Sequence, residues 1–537
     1  MADNLPKQFS RRIAAIDLGT NSFHAVIVDI FPDGSFQTVD KLKEMVLLAE
    51  KGFDNKLSES AMQRGIDALV KIKTLCDHQN AESILAYATS AIREAENGGE
   101  LIQRAIDEVG IKINAIPGRV EAELIGLAVQ HGVQLPEKPV LMVDIGGGSV
   151  EFIIGDKKKF YHLSSKKLGV ARMTSRFVDT DPISKEEIQA LEAHYEEQLR
   201  DVAQSFATHR ASVMVGSSGT LENIGMMIAK RENRPQNLSV NELEFTNKQF
   251  LALYDELIGM SRKERAKLSE LDDKRIDLIA PGLVLVRYIL KAFAIKRVKI
   301  SSQALREGII LRYIKKEMHE LKDLAMYDDP RRRSVMELVN RYDWHENHSR
   351  HVGELSLRLF DEFRESLKLD QADRELLEYA SFMHDIGYFI SHRKHHKHAL
   401  YIIRHSELMG FKEIEIEVMA NVARYHRRST PKMRHTYFKR LPKPEQERVK
   451  KMAAILRVAD GLDRSHFQNV RRLQVEPGKK KTIIYIDTEA DPQLEIWGAM
   501  RKRTLMEKVL GKKIEIIRDS NRFLGTTSVR PAQPVLP

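Results

Sequence analysis

A stretch of fifteen residues, 140–154, places a glycine-rich turn between two apolar runs. The runs VLMV and FII are aliphatic or aromatic and β-branched, which predicts two buried strands. The residues between them, 144–149, must therefore turn tightly. Three consecutive glycines let backbone amides point into one concavity, and such concavities bind phosphate. An ordinary glycine-rich hairpin has the same local pattern, so this turn alone leaves both interpretations open.

The arrangement recurs near the N-terminus, where residues 13–28 read IAAIDLGTNSFHAVIV. A third strand-like run ends in the turn GSSGT at 216–220, just before a helical pattern. Three such turns predict one polyanion site that is lined from both sides. The candidate phosphate-binding residues are Thr20, Asn21, Ser22, Gly146, Gly147, Gly148, Ser149, Gly216, Ser217, Ser218, Gly219 and Thr220.

The motifs DLGTNS, DIGGGS and GSSGT closely resemble those of the exopolyphosphatase and guanosine pentaphosphate phosphohydrolase family. The resemblance covers about residues 12–315. It implies an α/β fold of the superfamily that contains actin, sugar kinases and the 70-kilodalton heat-shock proteins (ASKHA). We therefore expect two actin-like lobes, 1–128 and 129–325, each built on a ribonuclease H-like sheet, with a cleft between them.

Two further segments extend the resemblance to catalytic residues. TSAIREA at 89–95 matches a family segment, and its Arg93 is a candidate phosphate ligand because a guanidinium makes bidentate contacts to phosphate oxygens. In PGRVEAELI at 117–125 the family's general base falls on Glu121. A carboxylate suits that task because the attacking water must lose a proton. The chain departs from the family at Val120 and Glu123, and Glu123 is a rival base.

Acidic residues flank the glycine turns. Asp144 and Glu151 match the family's acidic pair and are assigned catalytic roles by that resemblance. Asp17 and Asp144 end strands beside the expected cleft, so we expect them to hold Mg²⁺ directly or through water. An aspartate before glycine is also a common turn former, which is the alternative for each. Arg172, in a segment that resembles the second lobe, is a further candidate phosphate contact.

Composition changes beyond residue 330, because 12 of the 19 histidines lie between His345 and His466. The order NHSRHV, MHDIG, HHKH, RYH and RVADG resembles the HD superfamily of metal-dependent phosphohydrolases, which implies an all-α domain over 326–470. Histidine with carboxylate suits Mn²⁺, Fe²⁺ or Zn²⁺ better than Mg²⁺. A structural metal, or histidines without metal, is the alternative. The implied first site is His348, His384, Asp385 and Asp460; His396 and His426 would support a second, with His395 or His392 as substitutes.

The last segment predicts a small α/β module at 471–525, with strands at 482–487 and 494–497 and a helix at 500–509. The tail, 526–537, is predicted to be disordered because it has three prolines and few apolar anchors. Residues 327–333, YDDPRRR, read as a linker.

Charge and composition limit the classes of partner that this chain is expected to bind. From residue 331 onward, 41 lysines and arginines face 28 acidic residues, against 45 and 48 before it. Such a basic half favours docking of a long polyanion, although solvated basic helices give the same count. No apolar run approaches the roughly 20 residues that cross a bilayer, and Cys76 is the only cysteine. We expect a cytoplasmic protein with no membrane partner and no specific nucleic acid.

The predicted function is release of terminal orthophosphate from inorganic polyphosphate by water, assisted by Mg²⁺. Guanosine pentaphosphate hydrolysis is a close alternative, since both substrates present the same phosphate end. A kinase-like or chaperone-like nucleotide-binding protein shares the fold, but the Glu121 segment argues against it. A third alternative makes the lobes a polyphosphate or alarmone sensor that regulates an HD hydrolase. Family resemblance alone implies a homodimer.

Overall fold

The computed structural model describes residues 11–49, 56–234, 239–317, 329–342 and 345–523. The chain divides into two compact units, one within residues 7–325 and the other within the residues from 326 onward. The predicted disordered tail at 526–537 lies outside the described residues, as does the first part of the predicted linker. The described end of that segment is helical, because Asp329 caps a helix that begins at Pro330.

The first sheet forms from strands whose buried residues alternate or run continuously, as the apolar pattern predicts. Its strand order is β3-β2-β1-β4-β5. β1 pairs antiparallel with β2 and parallel with β4. The strands are β1 (Arg11–Leu18), β2 (Ser22–Ile30), β3 (Phe36–Met45), β4 (Ser83–Ala88) and β5 (Ile113–Ala115).

The second sheet repeats this topology and adds one edge strand, in the order β8-β7-β6-β9-β11-β10. β6 and β7 are buried along their whole lengths. The strands are β6 (Val140–Ile145), β7 (Val150–Gly155), β8 (Phe160–Lys166), β9 (Val213–Ser217), β10 (Glu244–Thr246) and β11 (Arg297–Ile300).

The two sheets have a turn in common as well as a strand order. The first turn of each sheet is closed by the same backbone hydrogen bond. Gly19 N donates to Ser22 O at 3.2 Å, and Gly146 N donates to Ser149 O at 3.0 Å. The arrangement of a strand, an aspartate and a glycine turn is thus a structural repeat. The expected mixed α/β architecture is confirmed, with one sheet in each of two lobes (lobe I and lobe II below), and the actin-like superfamily stays a prediction.

Helices cover both sheets. Their bounds are α1 (Glu59–His78), α2 (Ser90–Glu94), α3 (Gly98–Arg104), α4 (Gly118–Gly132), α5 (Val170–Phe177), α6 (Lys185–Gln198), α7 (Arg200–Thr208), α8 (Gly219–Arg231), α9 (Asn247–Leu257), α10 (Arg262–Arg265), α11 (Ile279–Ala292) and α12 (Leu305–Glu317). α4 and α12 cross where a Cβ on Gly308 would meet Leu124 O at 2.0 Å. A larger residue there would push the helices apart. Their apolar faces share one core with residues of β1, β2 and β6, which fixes the N-terminus of α4 between the sheets.

The C-terminal unit begins with a helical bundle around one apolar core. Its helices are α13 (Pro330–Arg341), α14 (Glu346–Leu367), α15 (Gln371–Met383), α16 (His395–Arg404), α17 (Glu413–Arg424), α18 (Thr436–Lys439) and α19 (Lys443–Leu462). A three-stranded sheet follows, in the order β12-β13-β14. Its elements are β12 (Val470–Pro477), β13 (Lys481–Thr488), α20 (Gln493–Lys502), α21 (Thr504–Leu510) and β14 (Lys513–Arg518).

The strand predicted at 494–497 is wrong, because these residues lie in α20. Alternation of Leu494 and Ile496 suggested a strand. Small residues decide the packing instead: a Cβ on Gly461 of α19 would lie 2.5 Å from Ala499 Cα. Only a helix of small residues brings its backbone that close to α19.

One predicted helix also differs from the structure. The segment 500–509 divides between α20 and α21. Among the described residues, no helix combines the length and apolarity that crossing a membrane requires.

Candidate functional site

A row of polar side chains crosses the lobe II sheet where its central strands end. Asp144 on β6 lies directly opposite Glu151 on β7. Glu151 in turn faces Ser165, and Asp144 faces Ser217. Paired residues present their side chains on one face, so these four form what we name the lobe II row. Ser165 Oγ donates to Glu151 Oε1 at 2.7 Å, and Glu151 is only 2% exposed.

The equivalent row of the lobe I sheet has different chemistry. Asp17 precedes its glycine by two residues, as Asp144 does, and pairs with His24 on β2. His24 pairs with Lys43 on β3, and Asp17 pairs with Tyr87 on β4. We name these four residues the lobe I row. Burial and the charges of Arg306 and Lys43 lower the pKa of His24 to about 3, so this imidazole is neutral at physiological pH.

Glu121 lies in the first turn of α4 and is buried. Arg93 Nη1 donates to Glu121 Oε2 at 2.7 Å and to Ile116 O at 2.9 Å. The structure thus pairs Arg93, which the sequence suggested as a phosphate ligand, with the candidate base. Glu123 lies two residues along the helix, about 200° around its axis. It therefore points away from the carboxylates that Glu121 faces.

Four carboxylates, those of Asp17, Glu121, Asp144 and Glu151, have raised pKa values at this site. Burial, with contributions from Glu121 and Asp144, raises the pKa of Asp17 to about 7. Burial, with contributions from Glu121 and Glu222, likewise raises the pKa of Asp144 to about 7. Burial and the charges of Glu121 and Asp144 raise the pKa of Glu151 well above its usual range. Burial also raises the pKa of Glu121, which Arg93 opposes. Carboxylate oxygens are the donor set that Mg²⁺ prefers, and Asp17 and Asp144 stay predicted ligands of this ion. Among the described residues, the groups whose ligand atoms lie close enough to share a metal ion do not include them.

The two equivalent turns meet across the lobes. A Cβ on Gly147 would lie 2.9 Å from Asn21 Nδ2, so a larger residue there would displace the Asn21 side chain. The N-terminus of α5 holds the lobe II turn from behind: Val170 N donates to Gly146 O at 3.0 Å, and Ala171 N donates to Gly147 O at 2.9 Å. Because its carbonyls are bonded to α5, the turn is fixed with those groups away from the cleft.

The third turn leads into α8. Ser218 caps this helix at φ 87°, a left-handed conformation that is uncommon outside glycine. Among the described residues, the buried hydroxyl of Ser218 lacks a hydrogen-bond partner, whereas the hydroxyl of Ser217 faces Asp144 as a hydrogen-bond partner. A strained backbone and an unpaired donor at a helix N-terminus are features of an anion site.

Cations that the sequence did not single out surround this cluster. Arg275 Nη1 donates to Thr220 Oγ1 at 3.2 Å, and a Cβ on Gly219 would collide with this guanidinium. Arg306 acts on Asp17, and Lys274 and Lys43 act on His24. The motif ALREG at 304–308 was an available signal for Arg306. No local pattern marked Arg275, which reaches the site from a loop before α11.

Arg172 lies at the edge of this region. Its Nε donates to Gly148 O at 3.0 Å, and its Nη2 donates to Glu94 Oε2 at 2.9 Å. Arg172 thus joins the lobe II turn to α2 of lobe I. Thr20 and Ser90 also join segments, through hydroxyls 3.3 Å apart.

A second cluster lies in the C-terminal unit, where two groups of buried residues converge. One is His348, His384 and Asp460, and the other is Asp385, His395 and His426. Asp385 faces both groups: its Oδ2 is 3.5 Å from His384 Nε2, and its Oδ1 is 3.2 Å from His395 Nε2. We name the six residues the histidine–aspartate centre.

The four histidines of this centre are oriented alike. Each Nδ1 has an acceptor: Asp463 for His348 at 2.7 Å, Ser381 O for His384 at 2.6 Å, His392 O for His395 at 3.2 Å and Ala423 O for His426 at 2.7 Å. An oxygen acceptor requires the proton on Nδ1, so each Nε2 presents a lone pair to the centre. Such outer contacts are typical of metal-binding histidines.

The centre fits metal ions. Within the part of the chain that the structure describes, His348 Nε2, His384 Nε2 and Asp385 Oδ1 are buried without a hydrogen-bond partner. His395 Nε2 and His426 Nε2 face each other at 3.3 Å, where two lone pairs repel unless a cation lies between them. Nitrogen and carboxylate donors favour Mn²⁺, Fe²⁺ or Zn²⁺.

The structure places His395, rather than His396, in the second group. The His396 ring is 6.5 Å from that of His426, and burial lowers the pKa of His396 to about 4. Both histidines begin α16, and adjacent helical residues point about 100° apart. Spacing in the sequence could not choose between them. Among the described residues, His392 also lies outside both groups.

Fold and site together define a mixed α/β protein with two sheets of the same strand order and buried carboxylates at the edge of each. The family model of the Ppx/GppA phosphatases matches residues 26–317, and the model of their domain III matches residues 331–504. The chain belongs to the Ppx/GppA phosphatase family. Its C-terminal unit matches a domain of this family, while the HD resemblance stays a prediction.

Solved structures of the family are similar to the two lobes. An exopolyphosphatase from Cytophaga hutchinsonii is 30% identical with a TM-score of 0.54, and the alignment covers 58% of this chain and 99% of that one. The Aquifex aeolicus Ppx/GppA family member is 27% identical with a TM-score of 0.50, over 57% and 99% of the two chains. An exopolyphosphatase-like protein is 25% identical with a TM-score of 0.51, over 58% and 100%.

Proposed function

We propose that the protein is an exopolyphosphatase, which releases terminal orthophosphate from inorganic polyphosphate in the interlobe cleft. The observation that carries this proposal is the meeting of buried carboxylates with three glycine turns and several cations. Carboxylates hold a divalent cation and accept a proton, while the turns and cations hold phosphate oxygens. Family membership supports a phosphatase, and the similarity to the Cytophaga hutchinsonii exopolyphosphatase supports this substrate class.

In this proposal Glu121 is the base that takes the proton from the attacking water. Burial raises its pKa toward the operating pH, which suits a general base. Arg93 acts through Glu121: its guanidinium fixes the carboxylate and keeps part of it ionised. Asp17 and Asp144 would hold Mg²⁺, which supplies neutralisation of charge on the phosphoryl group. Glu151, held by Ser165, orients the water from the opposite strand.

Phosphate oxygens would be bound by the turns at 19–22, 146–149 and 216–220 and by the N-terminus of α8. The unpaired hydroxyl of Ser218 is suited to the terminal phosphate. Lys43, Arg275 and Arg306 would neutralise the phosphates behind it. Such cations on both lobes favour a ligand that carries a negative charge at every phosphorus, as polyphosphate does.

Guanosine pentaphosphate is the second candidate substrate, because its 5′ end offers the same terminal phosphate to the same turns. A sensor that regulates the C-terminal unit is a further alternative, favoured by the histidine–aspartate centre. A homodimer remains a prediction from resemblance, which light scattering of the purified protein tests.

The experiment measures orthophosphate release from long-chain polyphosphate and from guanosine pentaphosphate with Mg²⁺. It compares the whole protein with Glu121→Gln, its matched control Glu123→Gln, and the double variant His384→Ala with Asp385→Ala. We expect Glu121→Gln to lower kcat by about 10²- to 10⁴-fold, as loss of a general base does. Glu123→Gln and the double variant should hydrolyse polyphosphate like the wild type.

Retained hydrolysis in Glu121→Gln, together with loss in the double variant, would transfer the chemistry to the C-terminal unit and support the sensor alternative. A higher kcat/KM for guanosine pentaphosphate than for polyphosphate would select that substrate. Each outcome thus chooses one of the stated functions.

A further inference from the structure

The two lobes are joined at one end of the cleft by charged side chains. Glu94 is the last residue of α2 in lobe I, and its Oε2 accepts a hydrogen bond from Arg172 Nη2 of lobe II at 2.9 Å. Arg172 also donates through Nε to Gly148 O at 3.0 Å. Lys167 Nζ of lobe II lies 3.0 Å from the same Glu94 oxygen. Glu94 thus holds two lobe II cations, and one of them is bonded to the glycine turn.

Burial decides which of the two cations matters. The side chains of Glu94 and Arg172 are only 18% and 16% exposed, whereas that of Lys167 is 68% exposed. Water and salt screen exposed ion pairs, which contribute little. The partly buried pair of Glu94 and Arg172 is therefore the stronger contact, and we name it the interlobe clamp.

α2 connects the clamp to the candidate base. It is five residues long, and its last two are Arg93 and Glu94. Arg93 Nη1 donates to Glu121 at 2.7 Å, while Arg93 Nη2 lies 3.8 Å from Glu94 Oε1. A continuous chain of contacts therefore joins the lobe II turn to the base on α4.

α2 is fixed within lobe I. Ile92 is buried, and a Cβ on Gly98 would lie 2.1 Å from Ile92 O, so a larger residue would displace α3 from α2. Ser90 contacts the lobe I turn, since its Oγ lies 3.3 Å from Thr20 Oγ1. A cation that Glu94 holds is therefore held against the packed body of lobe I.

A second contact joins the lobes at the same end. A Cβ on Gly118, the first residue of α4, would lie 2.5 Å from Ser165 Cβ on β8. Ser165 is the residue that donates to Glu151. The close approach of α4 to β8 and the clamp therefore fix the same pair of elements, which carry the base and the lobe II row.

The cations suited to a phosphate chain lie toward the other end. α2 follows β4, whereas Lys43 lies on β3, on the opposite side of β1 in the sheet. Burial, and after it the charge of Arg275, lowers the pKa of Lys43, so these two cations are neighbours. A polyanion therefore has cations at the β3 end, which leaves Arg172 to Glu94.

We propose that Glu94 is a positioning residue, which through Arg172 sets the lobe II glycine turn against lobe I in register with Glu121. Arg172 is then the partner of Glu94 rather than the phosphate ligand that the sequence suggested. The effect on catalysis rests on the proposed function of the cleft, whereas the clamp itself does not.

The clamp is measured first without substrate, as the distance between spin labels on the two lobes of the whole protein. The labels are attached at Val70→Cys on α1 and Glu197→Cys on α6, two exposed positions, in a Cys76→Ala background. Double electron–electron resonance should give a broader distance distribution in Glu94→Gln than in the wild type, because the lobes lose a contact. Glu100→Gln, an exposed glutamate on α3, is the matched control and should leave the distribution unchanged.

Orthophosphate release from polyphosphate then tests whether Glu94 and Arg172 act as one unit. Glu94→Gln and Arg172→Met should each lower kcat by about tenfold, the effect of losing a charged hydrogen bond. KM should change little, since the cations at the β3 end remain. The double variant should lose no more than either single variant, because its second substitution removes a contact that is already lost. Glu94→Asp, which keeps the charge, should restore part of kcat.

A phosphate-binding role for Arg172 gives a different pattern. Glu94→Gln would then free the guanidinium and lower KM, whereas Arg172→Met would raise KM. That pattern, additive losses in the double variant, or an unchanged distance distribution in Glu94→Gln would each overturn the proposal. Thermal melting checks that the variants fold, and Glu94→Asp replaces Glu94→Gln in the distance measurement if the latter unfolds, with a smaller broadening expected.

The two measurements separate this proposal from the proposed function. If the wild type hydrolyses neither polyphosphate nor guanosine pentaphosphate, the proposed function fails, and the label distances still decide whether Glu94 holds the lobes together. If the wild type is active but the distances and kcat of Glu94→Gln equal those of Glu100→Gln, the clamp fails and the proposed function stands.

Discussion

The lobe I row and the lobe II row occupy the same register of two sheets with the same topology, yet they differ in chemistry. Asp17 and Asp144 are equivalent, and both precede a glycine turn that closes with the same hydrogen bond. One strand further, lobe I has His24 where lobe II has Glu151. The next strand carries Lys43 in lobe I and Ser165 in lobe II.

This difference shows how two sheets with the same backbone arrangement can carry side chains for two different chemical roles. The lobe II row gathers carboxylates, whose mutual repulsion and burial make them ready to bind a cation or a proton. The lobe I row keeps a single carboxylate and places cations beside it, which suits the outer phosphates of a chain. We infer that the proton transfer lies with Glu121 and the lobe II row, and that the cations of the lobe I row contribute mainly to holding the polyanion.

The largest expected effect comes from neutralising the lobe II row. Asp144→Asn and Glu151→Gln should each lower kcat for polyphosphate by about 10²- to 10⁴-fold, because groups that act on the reacting phosphorus are lost. Steady-state orthophosphate release measures this, with circular dichroism as the folding check. A loss no greater than that of His24→Gln would erase the functional difference between the rows.

A smaller effect is expected for Arg93, which positions Glu121. Arg93→Met should lower kcat by about tenfold or more, since a charged hydrogen bond to a buried carboxylate is removed. Arg93 lowers the pKa of Glu121, and the base must be ionised. Its loss should therefore move the acidic limb of the kcat–pH profile to higher pH.

The matched control for Arg93 is Arg119→Met, an exposed arginine on the same helix as Glu121. It should keep the wild-type profile. A shift of the acidic limb to lower pH in Arg93→Met would contradict the positioning role, as would a change in KM with kcat unaltered.

Substitution of a cation in lobe I should change KM rather than kcat. Lys43→Met is expected to raise KM for long-chain polyphosphate by about two- to fivefold, the range of one exposed charge contact. The effect should shrink as salt is added, because screening weakens exposed charges. Lys73→Met, on α1 and paired with Asp77 at 2.5 Å, is the control. Equal KM values for Lys43→Met and wild type at low salt would remove Lys43 from the binding track.

The smallest effect concerns Cys76, which is buried on α1 in lobe I. Burial raises the pKa of its thiol to about 11. At pH 8 the native protein should therefore react with a thiol reagent at least tenfold more slowly than the unfolded chain, and faster as pH approaches 11. Rapid labelling of native Cys76 at pH 8 would show that lobe I opens, and the same assay verifies that row variants remain folded.

Much of the fold followed from local pattern. The apolar runs with an aspartate and a glycine turn predicted the central strands of both sheets. Where the structure departs, as at 494–497, packing of small residues against α19 overrode an alternation that resembled a strand. The stretch that suggested a strand was short, and the structure of short apolar stretches is decided by the elements that pack against them.

The candidate site divides in the same way. Glycine, aspartate and histidine at fixed spacing pointed to the three turns, to Asp17, Asp144 and Glu151, and to the region of the histidine–aspartate centre. The sequence did not reveal the basic residues at these sites. Arg275, Arg427 and Lys502 contact residues from segments that are distant in the sequence. No spacing in the sequence links Lys502 to Asp460, 42 residues earlier.

The sequence by itself determined which residue types stand at each turn. These residues were sufficient to predict a mixed α/β fold and phosphate chemistry. Only the tertiary structure decided that Arg93 belongs to Glu121, that Glu123 faces away, and that His395 takes the place predicted for His396. The physical reason is that turns and caps are set by contacts within a few residues. Charge pairs and ligand directions depend on how distant elements are rotated and packed together.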